Sequence, residues 1–230
     1  MNWRSMVLAT AVGTACLVVA APALSKAVVV RSAGPSAKAY PPGKALPDSA
    51  KISLKPGDSV TVLGPNSTKT LRGPGTFPAS SAGAEGLAMA AARRTRFGAM
   101  RSGDLALNPS PWNLDISQSG TICLAKGSAL KMWRPSSDDA AQLTITPSSG
   151  KVETVKWAAG KSTADWPTTL PISEGVDYQL AVKDGPSPET VRFAMMPAIP
   201  ADAVDTAEAL IQRGCQNQLD VLVAGLGDGE

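Results

Sequence analysis

Histidine is absent from this chain of 230 residues, and cysteine occurs only three times. Without histidine the chain has no Ser–His–Asp or Cys–His nucleophile pair and no imidazole metal site. Aromatic residues make up only 4% of the sequence, while glycine and proline number 21 and 19, and this balance favours short strands and turns over long helices. We therefore expect no catalytic residue, no metal site and no cofactor.

Only one long apolar run is present, between residues 6 and 21 near the start of the sequence. A basic residue precedes this run and an Ala-x-Ala sequence follows it, which is the pattern of a secretory signal peptide. We assign residues 1–25 to this signal and expect cleavage before Leu24 or before Lys26. The remaining chain is then exported, and we expect it in the periplasm.

Two alternatives to a cleaved signal stay open at this point. In the first, Cys16 is the acylated residue of a lipoprotein. In the second, the apolar segment is an uncleaved N-terminal anchor, although residues 6–24 barely reach the ~20 residues that a spanning helix needs. No later segment approaches that length, so we expect no membrane span once the signal is removed.

Charge is distributed unevenly along the chain. Residues 26–103 carry a net charge of +9 and residues 104–230 a net charge of −7, a polarity that the overall +3 conceals. A basic segment outside the cell indicates an anionic envelope surface or an acidic protein partner rather than nucleic acid, because export removes the usual nucleic-acid targets. We expect the two halves to stay apart, so that each presents a surface of one sign.

Cys123 and Cys215 are the only cysteines that remain after processing. Two cysteines in an oxidising compartment usually pair, and the spacing of these two excludes a CxxC redox centre. We predict a disulfide that stabilises the second half of the chain and leaves the first half unaffected. The alternative is a pair of buried free thiols.

Residues 26–78 form a first module in which apolar residues alternate around tight turns. The clearest stretch is residues 52–63, which read Ile-Ser-Leu-Lys-Pro-Gly-Asp-Ser-Val-Thr-Val-Leu. Apolar residues alternate here on both sides of a Pro-Gly-Asp turn. Four or five short strands, packed as a small barrel or a curled sheet, account for this pattern.

This first module resembles the FecR-type periplasmic β domain of bacterial envelope proteins. The resemblance rests on Leu46, on residues 52–63 with Gly57 and Asp58 at the turn, and on residues 70–75, which read Thr-Leu-Arg-Gly-Pro-Gly. In such domains a strand follows a Gly-Asp turn and a later strand ends in Gly-Pro-Gly. A signal peptide stands where a classical FecR regulator has its cytoplasmic anti-sigma segment, so the resemblance implies the β domain and not sigma-factor signalling.

Residues 79–107 are rich in alanine and glycine, and we interpret them as a linker between two modules. The linker carries a basic cluster of four arginines, Arg93, Arg94, Arg96 and Arg101. This cluster is a candidate docking site for phosphate-bearing lipid or for an acidic protein face. The alternative is a solvated linker with no docking role.

Residues 108–200 contain seven candidate strands separated by Gly, Pro, Ser and Asp, which is typical of an Ig-like β-sandwich. The candidate strands are residues 112–116, 121–125, 130–133, 142–146, 152–157, 178–182 and 190–194. Four tryptophans lie in or beside them: Trp112, Trp133, Trp157 and Trp166. We expect these side chains to pack in the core; in the alternative they form an aromatic face that stacks on sugars.

Residues 201–225 are predicted to be helical, because apolar residues recur at helical spacing and acidic residues occupy the opening turns. Gly214 marks a first break in this segment, and Cys215 falls on its apolar face. A disulfide from Cys215 to Cys123 would therefore hold the C-terminal helix against the sandwich. The predicted fold is mainly β, with this helical segment at the end.

Two residue pairs have the spacing of catalytic groups. Ser128 and Lys131 have the spacing of a serine–lysine pair, but they lie at a predicted strand and not at a strand-to-helix junction. Asp138 and Asp139 are adjacent carboxylates of the kind used in glycoside hydrolysis, but two preceding serines make this segment typical of a solvated turn.

The sequence thus predicts an exported, non-enzymatic envelope protein that mediates protein–protein or envelope-surface binding, as part of a periplasmic sensing or assembly system. The alternative function is a cell-wall or carbohydrate-binding module that uses the tryptophan-bearing face. The identity of the partner and the oligomeric state stay open.

Overall fold

The computed structural model describes residues 26–79 and 107–227. Within these ranges the chain forms fourteen strands, two α-helices and a short 3-10 helix at Ala37–Ala39. The fold is mainly β with its helices near the C-terminus, as the sequence predicts. The proposed signal peptide and the four arginines of the basic cluster lie outside the described residues.

The first module consists of two small sheets. Strands β2, β1, β4 and β5 form an antiparallel four-stranded sheet in that order, and β3 pairs with β6. The six strands are β1 (Lys26–Ala33), β2 (Ala45–Pro47), β3 (Lys51–Leu54), β4 (Ser59–Leu63), β5 (Thr68–Arg72) and β6 (Gly75–Pro78).

The two central strands of the four-stranded sheet, β1 and β4, are buried on both faces. In β1, Ala27 and Val29 pack toward the β3–β6 sheet, in a cluster that also contains Leu46 and Ile52. The alternate residues Val28 and Val30 belong to a different cluster on the opposite face. Side chains alternate between the two faces of a strand, so a strand covered on both sides needs an unbroken apolar run, which explains the sequence of residues 27–30.

Asp58 connects two turns of the first module. One carboxylate oxygen accepts a hydrogen bond from the backbone N–H of Ser36 at 2.8 Å, and the other accepts from the backbone N–H of Lys55 at 2.5 Å. Gly34 crosses immediately beside it with a φ of 99°. The Gly-Asp turn that carries the FecR resemblance is therefore a structural clamp in this chain.

The second module is built from two mixed sheets that share one core. The five-stranded sheet has the order β11-β10-β13-β14-β8, and the three-stranded sheet has the order β12-β9-β7. Two pairings are parallel, β8 with β14 and β7 with β9. The strands are β7 (Asn113–Asp115), β8 (Gly120–Ala125), β9 (Lys131–Trp133), β10 (Ala141–Pro147), β11 (Glu153–Trp157), β12 (Thr163–Asp165), β13 (Asp177–Val182) and β14 (Glu189–Met196).

All seven segments predicted as strands in the second module form strands, with shifts of at most two residues at their ends. The sequence did not predict β12, Thr163–Asp165, which pairs with β9. This strand is three residues long and carries only one apolar side chain, so it has no alternating pattern to detect. The sandwich prediction itself agrees with the observed layers.

The C-terminal segment folds as two helices, α1 (Ala203–Arg213) and α2 (Gln216–Leu226). The Asp202 carboxylate accepts from the backbone N–H of Asp205 at 2.8 Å and so caps the start of α1, a preferred arrangement for this residue type. Gly214 then adopts a left-handed conformation, with a φ of 73°, and ends α1. The break predicted at Gly214 is thus complete enough to separate two helices.

The two helices lie between the modules and join them. A third cluster of buried residues draws on β1 and β4 of the first module, β8 and β14 of the second, and both helices. Its members are Val28, Val30, Leu63, Cys123, Met196, Val204, Ala207, Leu210, Cys215 and Leu219. Each large apolar side chain buried here stabilises the fold by about 1.5–3 kcal/mol, so the contact between modules is a hydrophobic core.

Three ion pairs cross the same boundary. The Lys26 ammonium lies 2.5 Å from the Asp205 carboxylate and 3.2 Å from that of Glu208, and the Arg31 guanidinium lies 2.5 Å from Asp220. The expectation that the oppositely charged halves stay apart was wrong. The helices fold back on the basic module, because the apolar face of β1 and the acidic residues of α1 and α2 complement each other.

Candidate functional site

The predicted disulfide is present between Cys123 in β8 and Cys215 between the two helices, with Cα atoms 5.8 Å apart. It closes a separation of 92 residues, which corresponds to roughly 4 kcal/mol of stabilisation in the chain-entropy model. Both cysteines are buried in the core between the modules. The bond is structural, and it indicates an oxidising, exported location.

Helix α2 also covers the free edge of β8 through a side chain. The Gln218 amide accepts a hydrogen bond from the Cys123 backbone N–H at 2.6 Å and donates one to the Cys123 carbonyl at 3.0 Å. This pair of bonds replaces the partner strand that β8 lacks on that side, and an exposed strand edge is a site of unwanted pairing. In the part of the chain that the structure describes, neither helix is long and apolar enough to cross a membrane.

The four tryptophans do not form a surface. Trp133, Trp157 and Trp166 are buried, and Trp112 is half-buried against the core between the modules. Trp166 packs edge-to-face with Tyr178 and Phe193, with ring centroids 5.5 and 5.4 Å apart. Three of the four tryptophans therefore pack in the core, as expected. The alternative, an aromatic face that stacks on sugars, is wrong because these side chains are buried.

The other candidate chemical groups are surface residues. Asp138 and Asp139 are exposed, and Lys131 lies 2.8 Å from the Asp165 carboxylate on the neighbouring strand β12. Among residues 26–79 and 107–227, no group of three His, Cys, Asp or Glu side chains is placed to hold a metal ion.

A groove of about 870 Å³ opens at one end of the sandwich. Residues at the ends of strands from both sheets line it: Ile116 follows β7, Arg134 follows β9, Trp157 ends β11 and Val182 ends β13. Sites of 300–1,000 Å³ with apolar walls and a few convergent polar groups are typical of ligand binding. This groove is therefore the candidate functional site.

Arg134 is the central charged residue of the groove wall. Only 7% of its surface is exposed. Its Nε donates to the Lys161 carbonyl at 2.9 Å and its Nη2 to the Ala158 carbonyl at 3.1 Å. No carboxylate in the described residues forms an ion pair with it. A buried guanidinium whose hydrogen-bond acceptors are all carbonyl oxygens keeps a positive charge without a counter-ion.

Trp157 adds a second unusual group beside that charge. Its ring centroid lies 5.7 Å from the Arg134 Cζ, a cation–π distance. Its indole Nε1 is buried and has no hydrogen-bond partner in the described part of the molecule. Buried polar groups are normally hydrogen-bonded, so this N–H is unusual, but the atom is covered and does not face the groove. The polar group that the groove leaves incomplete is the Arg134 guanidinium.

The rim of the groove carries charges of both signs. Lys156 and Lys183 lie on it together with Asp139, Asp184 and Glu189. Asp184 has a φ of 59° in the turn between β13 and β14, a conformation that is strained for a non-glycine residue and occurs often beside functional sites. The rim therefore has no strong net charge and suits a ligand that carries both charged and uncharged groups.

No protein-family model matches this chain, and no curated protein matches it. The chemistry of the site follows from its own geometry.

That geometry provides hydrogen-bond donors, a buried positive charge and apolar walls. Groups of this kind can hold a ligand by hydrogen bonds and apolar contact, and the groove includes no histidine that could act as a base, since the sequence has none. Sequence reasoning missed the site because Arg134 and Trp157 belong to different sheets and no local pattern connects them. The one local signal was Arg134 itself, because it directly follows β9, a strand that ends in the buried Trp133.

Proposed function

We propose that this chain is an exported, non-enzymatic binding protein of the cell envelope, and that the groove of the second module receives part of a protein partner. One observation carries the proposal: a groove of about 870 Å³ whose wall contains a buried arginine without a counter-charge. A folded protein holds such a charge at a cost, and a partner that supplies the missing negative group would offset that cost.

The first module has a supporting role in this proposal. Its resemblance to FecR-type periplasmic domains remains a proposal, and so does a periplasmic location after cleavage of a signal peptide. The buried disulfide supports the location, because it suits an oxidising compartment. The Asp58 hydrogen bonds explain why the chain has a Gly-Asp turn at this position. Membership in a sensing or assembly system is consistent with a binding role.

The arginines Arg93, Arg94, Arg96 and Arg101 remain a second candidate contact with an anionic surface. They lie outside the described residues, so their proposal rests on the sequence alone. The carbohydrate-binding alternative is not retained, because three of the four tryptophans that it needs are buried.

The proposed function is tested by filling the groove. Ala140 is exposed and lines the groove, so Ala140→Trp places a large side chain in it without opening the core. Ala129 is exposed in the loop between β8 and β9, outside the groove, and Ala129→Trp is the matched control. The measurement is capture of envelope proteins by each purified mature chain, after a melting curve has confirmed that both variants fold.

We expect the parent chain and Ala129→Trp to capture the same envelope protein, and Ala140→Trp to lose it. Equal capture by all three proteins would remove the groove from the function. Replacing the four arginines of the basic cluster with glutamine, in the same assay and with anionic vesicles, separates the contribution of the linker from that of the groove.

A further inference from the structure

We propose that the groove binds an apolar polypeptide segment that carries a carboxylate, with the carboxylate held by Arg134 and the apolar side chains packed against the groove walls. This inference rests on the proposed function, because it names the chemistry of the partner segment that the groove receives. It makes Arg134 a ligand-binding residue.

The guanidinium of Arg134 has unused hydrogen-bonding capacity. An arginine has five N–H donors, and the bonds to Lys161 and Ala158 occupy only Nε and one position on Nη2. Nη1 makes no hydrogen bond to the described residues. Arginine–carboxylate bonds are charge-assisted and about twice as strong as neutral ones, so a carboxylate is the group that satisfies both the free donors and the charge.

The ring of Trp157 contributes an apolar surface beside this charge. Trp157 lines the groove, and its ring lies next to the Arg134 guanidinium. A carboxylate bound by Arg134 is therefore next to an apolar wall, where its charge is less well solvated by water and the pairing with Arg134 is stronger. The rim carries three carboxylates against two lysines, so a group with a single negative charge is repelled less than a phosphate with two.

The walls require an apolar part on the same ligand. Ile116, Leu180 and Val182 line the groove together with the Trp157 ring. Burial of an apolar side chain against such walls contributes about 25 cal/mol per Å² of area removed from water. The bound segment therefore combines a carboxylate with at least one large aliphatic side chain.

A polypeptide is favoured as the source of this chemistry by two features. Strand β11 is the outer strand of the five-stranded sheet, and in the described residues no strand pairs with its other side; its Lys156 and Trp157 line the groove. The open backbone groups of an edge strand accept an extended peptide as an additional strand. The rim, with charges of both signs, also matches a peptide better than a simple fatty acid.

The experiment is titration calorimetry of the mature full chain with four probes. The first probe is acetyl-Leu-Leu-Leu with a free C-terminal carboxylate, and the second is the same peptide with a C-terminal amide. The third, acetyl-Leu-Glu-Leu-amide, carries its carboxylate on a side chain. The fourth, decanoate, is an apolar carboxylate without peptide groups.

We expect at least one carboxylate peptide to bind roughly tenfold or more tightly than the amide, which is the difference expected for a charged hydrogen bond. The comparison between the first and third probes shows whether a chain terminus or an acidic side chain is preferred. Because this comparison uses the unmodified protein, it does not depend on the folding of any variant.

Arg134→Gln tests the residue itself and should remove the preference for the carboxylate peptide over the amide. Arg192→Gln is the matched control, since Arg192 is an exposed arginine of the same module that pairs with Asp177 at 2.8 Å outside the groove. Trp157→Phe keeps an aromatic ring next to Arg134 and should leave the preference for the carboxylate peptide over the amide in place.

Equal affinity for the carboxylate and amide peptides would overturn the inference, and so would binding of decanoate without binding of any peptide, or the absence of binding by all probes at millimolar concentration. These outcomes differ from a failure of the proposed function. If Ala140→Trp abolishes partner capture while the two peptides bind equally, the groove is the site and the ligand chemistry is wrong. If Ala140→Trp captures the partner normally, the function itself is wrong.

Discussion

Asp58 shows how one carboxylate can organise a small β module. Burial on its own would raise the pKa of the Asp58 carboxyl, but hydrogen bonds from Ser36 and from the backbone N–H of Lys55, together with the charge of Lys55, hold this pKa below its ordinary value. The ionised form is therefore the one that the folded chain stabilises.

Replacing Asp58 with asparagine removes the charge and one of the two acceptor oxygens, so we expect Asp58→Asn to lower the free energy of unfolding at pH 7. Because the folded pKa is depressed, the stabilisation by Asp58 is present above the unfolded pKa of about 3.9 and is lost as the pH falls through the folded pKa. Urea unfolding of both proteins between pH 7 and pH 2 measures the difference, which should shrink at the acidic end. A constant difference across this range would contradict the assigned role of the charge.

Gly34 is fixed by the same clamp. A Cβ on Gly34 would lie 2.6 Å from the Gly57 carbonyl oxygen and 2.6 Å from an Asp58 carboxylate oxygen, at a φ of 99°. We expect Gly34→Ala to destabilise the protein by about 2 kcal/mol or more, from backbone strain and the clash together. Gly57→Ala is the control, because its φ is 84° but no atom lies within 4 Å of the added Cβ, and it should cost only about 1 kcal/mol. Urea unfolding compares the two, and equal losses would show that the clash has no effect.

At the scale of elements, the important arrangement is helix α2 against the edge of β8. Gln218 of α2 satisfies both backbone groups of Cys123. The disulfide also attaches Cys123 to Cys215, which directly precedes α2. Asn217 adds a third bond, to the Ser119 carbonyl at 3.0 Å. The helix therefore completes the sheet with side chains instead of with another strand.

Gln218→Leu keeps the side-chain volume but leaves the Cys123 N–H and C=O unpaired. Each unsatisfied buried group costs about 1–3 kcal/mol, so we expect a loss of about 2 kcal/mol or more in the free energy of unfolding. Asn217→Leu, one residue away and partly exposed, should cost no more than about 1 kcal/mol. Thermal unfolding under oxidising conditions distinguishes the two, and a similar small loss for both variants would show that water replaces Gln218.

Most elements could be predicted from the sequence because their signals are local. The alternation around Gly57 and the apolar segments after residue 108 predict strands, and Gly214 predicts the end of a helix. The pairing of β8 with the edge-covering Gln218 could not be predicted, because its partner Cys123 lies 95 residues away in the chain. The same holds for the groove, whose residues meet only when two sheets pack.

At the scale of the whole molecule, the two modules share one core, so they should not unfold independently. The run of apolar residues in β1 contained this information, since a strand with both faces apolar needs a cover on each side. We had expected a disulfide that stabilises only the second module. The cluster that contains Cys123 and Cys215 also contains Val28, Val30 and Leu63 of the first module, so the disulfide stabilises a core that both modules build.

Leu210→Ala tests this shared core, because Leu210 is fully buried in it. We expect a loss of about 2–5 kcal/mol in the free energy of unfolding, with equal loss of amide-exchange protection at Val60 in the first module and Leu143 in the second. Leu107→Ala is the control, since Leu107 is 85% exposed, and it should change neither site. Loss of protection at only one of the two amides would show that the modules unfold separately.

The position of α1 and α2 in the chain has a consequence for synthesis. The first sheet is made early, but Val28, Val30 and Leu63 are buried in a cluster that is completed by the helices, which are made last. Until those helices emerge, the nascent chain presents an apolar strip that a ribosome-bound or translocating intermediate cannot bury. Completion of folding is therefore coupled to completion of the polypeptide, and a chain truncated before residue 203 is a natural substrate for proteases and chaperones.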